Sequence, residues 1–168
     1  DDKDIMAVCV PPHEYYLGLQ EYGNRGTREI FEGAWDIVVF EARKMIRMLE
    51  EGNPNVLSLL WLSPEHVLLT TAAGQRLLAA KELFVGKHVY ESFIGYAKSQ
   101  LRRMTHIAGR GYLGEKRKQL VDRHGYDTKN AAHLIRLLRM CIEFLRDGRL
   151  VVVRPDAAEL LEIKHGQW

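Results

Sequence analysis

The stretch Asp1-Asp2-Lys3-Asp4-Ile5-Met6-Ala7-Val8-Cys9-Val10 opens the sequence with three carboxylates and runs straight into apolar residues. Pro11 and Pro12 close the run, and because proline cannot donate to a ladder, the pattern predicts a short strand over Ile5–Val10. If the acidic entry is extended too, residues two apart point the same way, so Asp2 and Asp4 share a face. Two carboxylates on one face attract a divalent cation and repel each other without one. The plainer alternative is a solvated acidic segment that happens to precede a strand. A third acid in a second apolar run, Asp36, shifts the reading toward the cation.

Asp36 lies within Trp35-Asp36-Ile37-Val38-Val39-Phe40, a run of β-branched and aromatic residues that predicts a second strand. It falls on the face of Val38 and Phe40, where a carboxylate is costly unless paired or bound to metal. The chain then enters a helix whose apolar positions Ala42, Met45, Ile46, Met48 and Leu49 are spaced helically, with Arg43, Lys44 and Arg47 opposite. Gly52, Asn53 and Pro54 stop it. Glu41 at the junction reads as an N-terminal helix charge, with a weaker claim as a third carboxylate. Between the two strands, His13–Leu19 reads as a turn and a short irregular piece. Gln20–Gly33, polar and carrying Gly23, Gly26 and Gly33, reads as a loop or mobile hairpin. Its Arg25 and Arg28 either meet phosphate or simply solvate a connection.

The remainder is helical. Val56–Leu62 is a short apolar segment, and Ser63-Pro64-Glu65 has a capping serine with proline at the first position. Helical runs follow at Ala72–Phe84, His88–Met104, Glu115–Arg123 and Thr128–Arg146, punctuated by Gly86 and by Gly109 to Gly114. Leu150–Val153 predicts a short strand, and Asp156–Lys164 a closing helix capped by Asp156. Lys129, His133 and Arg136 fall on one stripe of the long helix, with Tyr126 just before its start. Such a stripe suits phosphate, because Arg forks across its oxygens and Lys supplies a point charge; the alternative is a solvated polar face. Lys98, Arg102 and Arg103 with Tyr96 read as ordinary helix surface.

Composition sets the bounds. The 168 residues are enough for a real core, and 46% hydrophobic with 27% charged residues is a globular balance. A formal net charge of +2 gives no global argument for nucleic acid, so any such argument is local. Cys9 and Cys141 sit in apolar runs without C-x-x-C spacing and read as buried thiols of a reducing compartment. No apolar stretch is long enough to span a membrane, so no membrane partner is expected and the expected location is the cytoplasm. Oligomeric state is not legible.

Three separated blocks carry a resemblance. The acidic strand with its continuation Pro11-Pro12-His13-Glu14-Tyr15-Tyr16-Leu17-Gly18 resembles that of nucleotidyltransferases of the DNA polymerase beta superfamily, in particular its RNA-repair-associated subgroup. Asp36 to Lys44, then Gly52 to Leu57 and Leu60-Trp61, is similar to that subgroup's third-acid strand, helix and Asn-Pro turn. Gly125 to Leu138 is similar to its C-terminal helical motif. The resemblance implies an α+β fold: an N-terminally truncated mixed-sheet catalytic core over 1–62 and a mainly helical part over 63–168. It implies that Asp2, Asp4 and Asp36 hold Mg²⁺ or Mn²⁺ ions, with Asp36 helping to polarise the incoming hydroxyl. A nucleoside triphosphate would be the substrate and RNA the expected acceptor, with Tyr126, Lys129, His133 and Arg136 contacting phosphates or acceptor.

The sequence departs from the pattern in one main respect. The superfamily's Gly-Ser motif precedes the acidic strand, and here Asp1 is the first residue; the expectation is that a segment carrying that motif lies upstream. Ser58 stands where similar sequences tend to have an acid. The alternatives are an inactive RNA-binding or protein-interaction module of the same fold, and a transferase that modifies protein hydroxyls.

Overall fold

A computed structural model of the chain describes residues 3–105 and 115–167. The first strand, β1, covers Lys3–Cys9, and the short helix α1, Glu14–Leu17, follows the two prolines. Strands β2, Thr27–Glu32, and β3, Trp35–Glu41, form a hairpin across Gly33 and Ala34, with Gly33 at φ 60°, where a Cβ is unfavourable. The sheet order is β1-β3-β2, with β1 parallel to β3 and β2 antiparallel to it. This mixed sheet with a helical remainder is the expected α+β class.

The stretch expected as a loop or mobile hairpin, 20–33, therefore contains a full strand. All of β2 except Thr27 is exposed, so it lacks the apolar alternation that marks a half-buried strand; its ladder to β3 makes it one. The chain divides into two compact units, Asp1–Glu50 and Glu51–Trp168. In the first, helix α2, Ala42–Glu50, packs against β3 and β1 and buries Met45 and Leu49. The division between the two units falls after Glu50, at the end of α2.

The second unit is helical: α3 (Pro54–Leu57), α4 (Ala72–Ala79), α5 (Val89–Thr105), α6 (Glu115–His124), α7 (Thr128–Asp147) and α8 (Ala157–His165), with 3-10 turns between the earlier ones. Asn53 caps α3 by accepting from the N–H groups of Asn55 and Val56, and its Nδ2 donates to the Tyr96 hydroxyl at 2.7 Å. Helix α7 starts at Asp127, which accepts from the Asn130 N–H at 3.1 Å, and ends at Gly148 in the left-handed conformation. Its buried side, Leu137, Met140, Cys141 and Phe144, packs along α5. Phe144 stacks on Phe93 and meets Trp61 edge-on, with centroids 6.5 and 5.4 Å apart, so an aromatic trio ties α5, α7 and the turn Ser58–Trp61 together.

Four local expectations are corrected. Leu150–Val153 forms no strand: all three described strands lie in residues 3–41, so this β-branched run has no ladder to join, and Leu150 serves as a buried packing residue. Ser63 makes no capping bond, and Pro64–His66 is a single 3-10 turn that leaves into extended backbone at Val67. The run 72–84 breaks at Ala80 into α4 and the 3-10 turn Lys81–Phe84. Asp156 occupies the N-cap position of α8 without capping it, because two arginines take its carboxylate. Cys141 is buried as expected, whereas Cys9 is only half-buried. No helix among the described residues is long and apolar enough to cross a membrane.

Candidate active site

The sheet register brings two of the three expected acids together. Asp4 of β1 is the partner of Asp36 of β3, and residues paired across a ladder point to the same face. Met6 with Val38 and Val8 with Phe40 continue that face away from the acids. The Asp36 Oδ1 is buried and has no hydrogen-bond partner, while Asp4 is exposed. A buried carboxylate oxygen without a donor, opposite a second carboxylate, is strongly unfavourable on its own. Hard carboxylate oxygens are also the donor set that Mg²⁺ and Mn²⁺ prefer, so these residues fit the implied metal. The third acid, Asp2, lies outside the described residues. Among the described residues, no group of three His, Cys, Asp or Glu side chains is placed to hold a metal ion.

Glu41, the weaker candidate for a third carboxylate, is a cap. Its Oε1 accepts from the Arg43 N–H at 2.8 Å and its Oε2 from the Lys44 N–H at 3.2 Å, which satisfies the first turn of α2. Burial pushes this carboxyl up, but the Arg43 N–H, the Tyr16 hydroxyl and the Lys44 N–H outweigh it and hold it below the usual range. The pairing Lys3↔Trp35 puts both side chains on the other face of the sheet, where the ammonium lies 4.5 Å from the indole centroid.

The helical stripe is on α7, in the second unit. Lys129 is exposed; His133 and Arg136 are half-buried, with Arg136 Nη2 3.2 Å from His133 Nδ1. The surrounding arginines have carboxylates. Arg139 binds Asp156 and Glu159 at 2.6 Å each, and Arg154 binds Glu143 at 2.5 Å and Asp156 at 2.7 Å. Arg136 has none among the described residues, and its Nε is buried and unpartnered. Burial, and then the nearby Arg154, lower its proton affinity, as expected for a guanidinium that lacks an anion. Tyr126 packs against the cluster of Ala131, Ala132, Leu160 and Ile163. The secondary basic face is ordinary surface: Lys98, Arg102 and Arg103 are exposed, and Tyr96 accepts from Asn53.

Sequence reading did not identify the companions of Arg25 and Arg28. Asn24, Thr27, Glu29 and Lys44 join them around one open cleft. The signal was weak, because Lys44 is remote in sequence and reaches Thr27 only through the fold.

The carboxylate-bearing mixed sheet and its helical companion agree with the comparison against protein families. The model of the RNA repair pathway DNA polymerase beta family matches residues 1–167, and the chain belongs to that family, a nucleotidyltransferase subgroup of polymerase beta type. No curated protein and no solved structure matches it.

Proposed function

We propose that the protein transfers a nucleoside monophosphate from a nucleoside triphosphate to a hydroxyl of RNA in a metal-dependent reaction. The acceptor oxygen forms a bond to the α-phosphorus, the bond to the β-phosphate bridging oxygen breaks, and its electron pair leaves with pyrophosphate. The observation that carries this reading is the Asp4–Asp36 pair, with an Asp36 oxygen buried and lacking a donor. Asp2, Asp4 and Asp36 would hold Mg²⁺ or Mn²⁺, which when bound supplies charge neutralisation for the phosphates and acidifies a hydroxyl. Asp36 orients the acceptor hydroxyl and accepts its proton. Lys129, His133 and Arg136, with Tyr126, take phosphates or acceptor, and the Arg136 guanidinium, whose Nε is buried without a partner, supports that role. The catalytic part is assigned to residues 1–62 and the helical part to 63–168. Catalysis is mainly positioning and electrostatic stabilisation.

The test is transfer of label from α-labelled nucleoside triphosphates, with Mg²⁺ or Mn²⁺, to mixed RNA and to protein. Label on RNA that disappears in Asp2→Asn and Asp36→Asn supports the reading. Label on protein alone replaces the acceptor, and RNA binding without transfer by the complete protein replaces catalysis with a binding role.

A further inference from the structure

The bend before β2 and the first turns of α2 enclose a cleft of about 500 Å³ lined by Asn24, Arg25, Thr27, Arg28, Glu29 and Lys44, all within the first compact unit. Three cations here meet one carboxylate. None of the three forms an ion pair among the described residues: Lys44 Nζ donates to Thr27 Oγ1, Arg28 lies 4.8 Å from the Tyr22 ring centroid, and Arg25 has no bonded partner. Arg25 is also the one non-glycine residue at positive φ among the described residues, at 50°, between Gly23 and Gly26 at 57° and 77°. A guanidinium is thus kept where the backbone favours glycine.

Part of the cleft shares a face with the acids. Thr27 pairs with Phe40, Glu29 with Val38 and Phe31 with Asp36, so Thr27 and Glu29 share the face of Asp36 and Asp4, while Arg28, paired with Val39, is on the other face. Phe40 is four residues beyond Asp36, roughly 13 Å along the strand. We propose that this cleft is a phosphate site that takes the backbone of an acceptor RNA a short distance from the end presented to Asp36. An unpaired basic groove that tracks a backbone is the usual solution for single strands. Glu29 opposes binding and limits its strength. The choice of RNA rests on the transfer reading above, whereas the site itself rests on the cleft and its charges.

The test is titration of the complete protein with a labelled, mixed-sequence single-stranded RNA, without nucleotide or metal, over a range of salt concentrations, with ATP titrated separately. Arg25→Gly removes the cation while giving the backbone the residue its φ favours, so the fold is spared. The expected result is RNA affinity lower by about three- to tenfold and a salt slope shallower by about 0.7, the share of one single-strand phosphate contact. Glu29→Gln tightens RNA binding, and ATP affinity stays the same in both variants. RNA affinity and slope unchanged in Arg25→Gly would overturn the site. Loss of ATP affinity alone assigns the cleft to the nucleotide's phosphates and overturns the RNA assignment, as does failure of the unaltered protein to bind RNA. A protein that transfers nothing but binds RNA through Arg25 overturns the transfer reading and leaves the cleft standing.

Discussion

Asp36 faces Asp4 across the β1–β3 ladder, with its Oδ1 buried and without a protein donor. Like charges directly opposite in a sheet destabilise it, by about 0.2–1 kcal/mol. In chelator, Asp36→Asn is therefore expected to raise the melting temperature slightly. Mg²⁺ is expected to raise that of the unaltered protein and to leave the variant unmoved, because a ligand stabilises only the state that binds it. Nucleotide transfer falls about 10²- to 10³-fold in the variant, the scale for loss of one charge-stabilising group. Differential scanning fluorimetry with and without Mg²⁺, beside the label-transfer assay, checks all three. A Mg²⁺ response retained by the variant would place the metal elsewhere.

Glu41 satisfies two N–H groups at the start of α2. Glu41→Ala is expected to cost about 0.5–2 kcal/mol, the range for losing a cap, and Glu41→Gln less, since an amide oxygen still accepts. Urea denaturation of both variants measures the order, and a Gln variant as unstable as the Ala variant would contradict it.

Asp156 is the shared partner of Arg154 and Arg139, and these hold its carboxyl well below the usual range. A carboxyl depressed in the folded state binds fewer protons there than in the unfolded chain. Its stabilisation is complete above the unfolded value and is lost as pH falls toward the folded one. The urea midpoint is expected to be level from pH 7 to about 5 and to fall below about pH 4. Asp156→Asn starts lower at neutral pH and falls less steeply in acid; equal acid slopes for the two proteins would count against this origin.

Arg136 is a half-buried guanidinium without a carboxylate partner among the described residues, whereas Arg139 and Arg154 hold Glu159 and Glu143. Replacing a charge of this kind with an apolar side chain is often neutral or stabilising. Arg136→Met is therefore expected to hold or raise the melting temperature while weakening triphosphate or RNA binding about tenfold, the loss of one charge-assisted hydrogen bond. Calorimetric titration beside thermal melting separates the two effects. Unchanged binding of both ligands would leave the stripe a solvated helix face.

The sequence was legible where side chains carry the signal themselves. Ile5–Val10 and Trp35–Phe40 announce strands by composition, and Asp36 stands out because a charge interrupts one of them. Strand β2 was not legible, since its exposed side chains give no pattern and its backbone partner lies across a turn. Val151–Val153 showed the reverse: strand-forming residues without a neighbouring strand stay irregular. Asp156 has the composition of a cap, but Arg139, seventeen positions earlier, competes for its carboxylate, and such a rival appears only once α7 and α8 are packed. The spacing of Lys129, His133 and Arg136 was readable; that Arg136 lacks an acid depends on where Glu143 and Glu159 turn.

The topology also sets an order of assembly. Strands β2 and β3 are joined by two residues, whereas β1 reaches β3 only after the chain has travelled through α1 and the whole of β2. Closing the long connection costs more entropy and slows the parallel pairing relative to the hairpin. Pulse-labelled hydrogen exchange during refolding is expected to protect β2–β3 amides before those of Lys3–Cys9. Asp4 is therefore expected to reach Asp36 only at the last step of sheet formation, so that a partly folded chain with its hairpin already formed still lacks the paired acids.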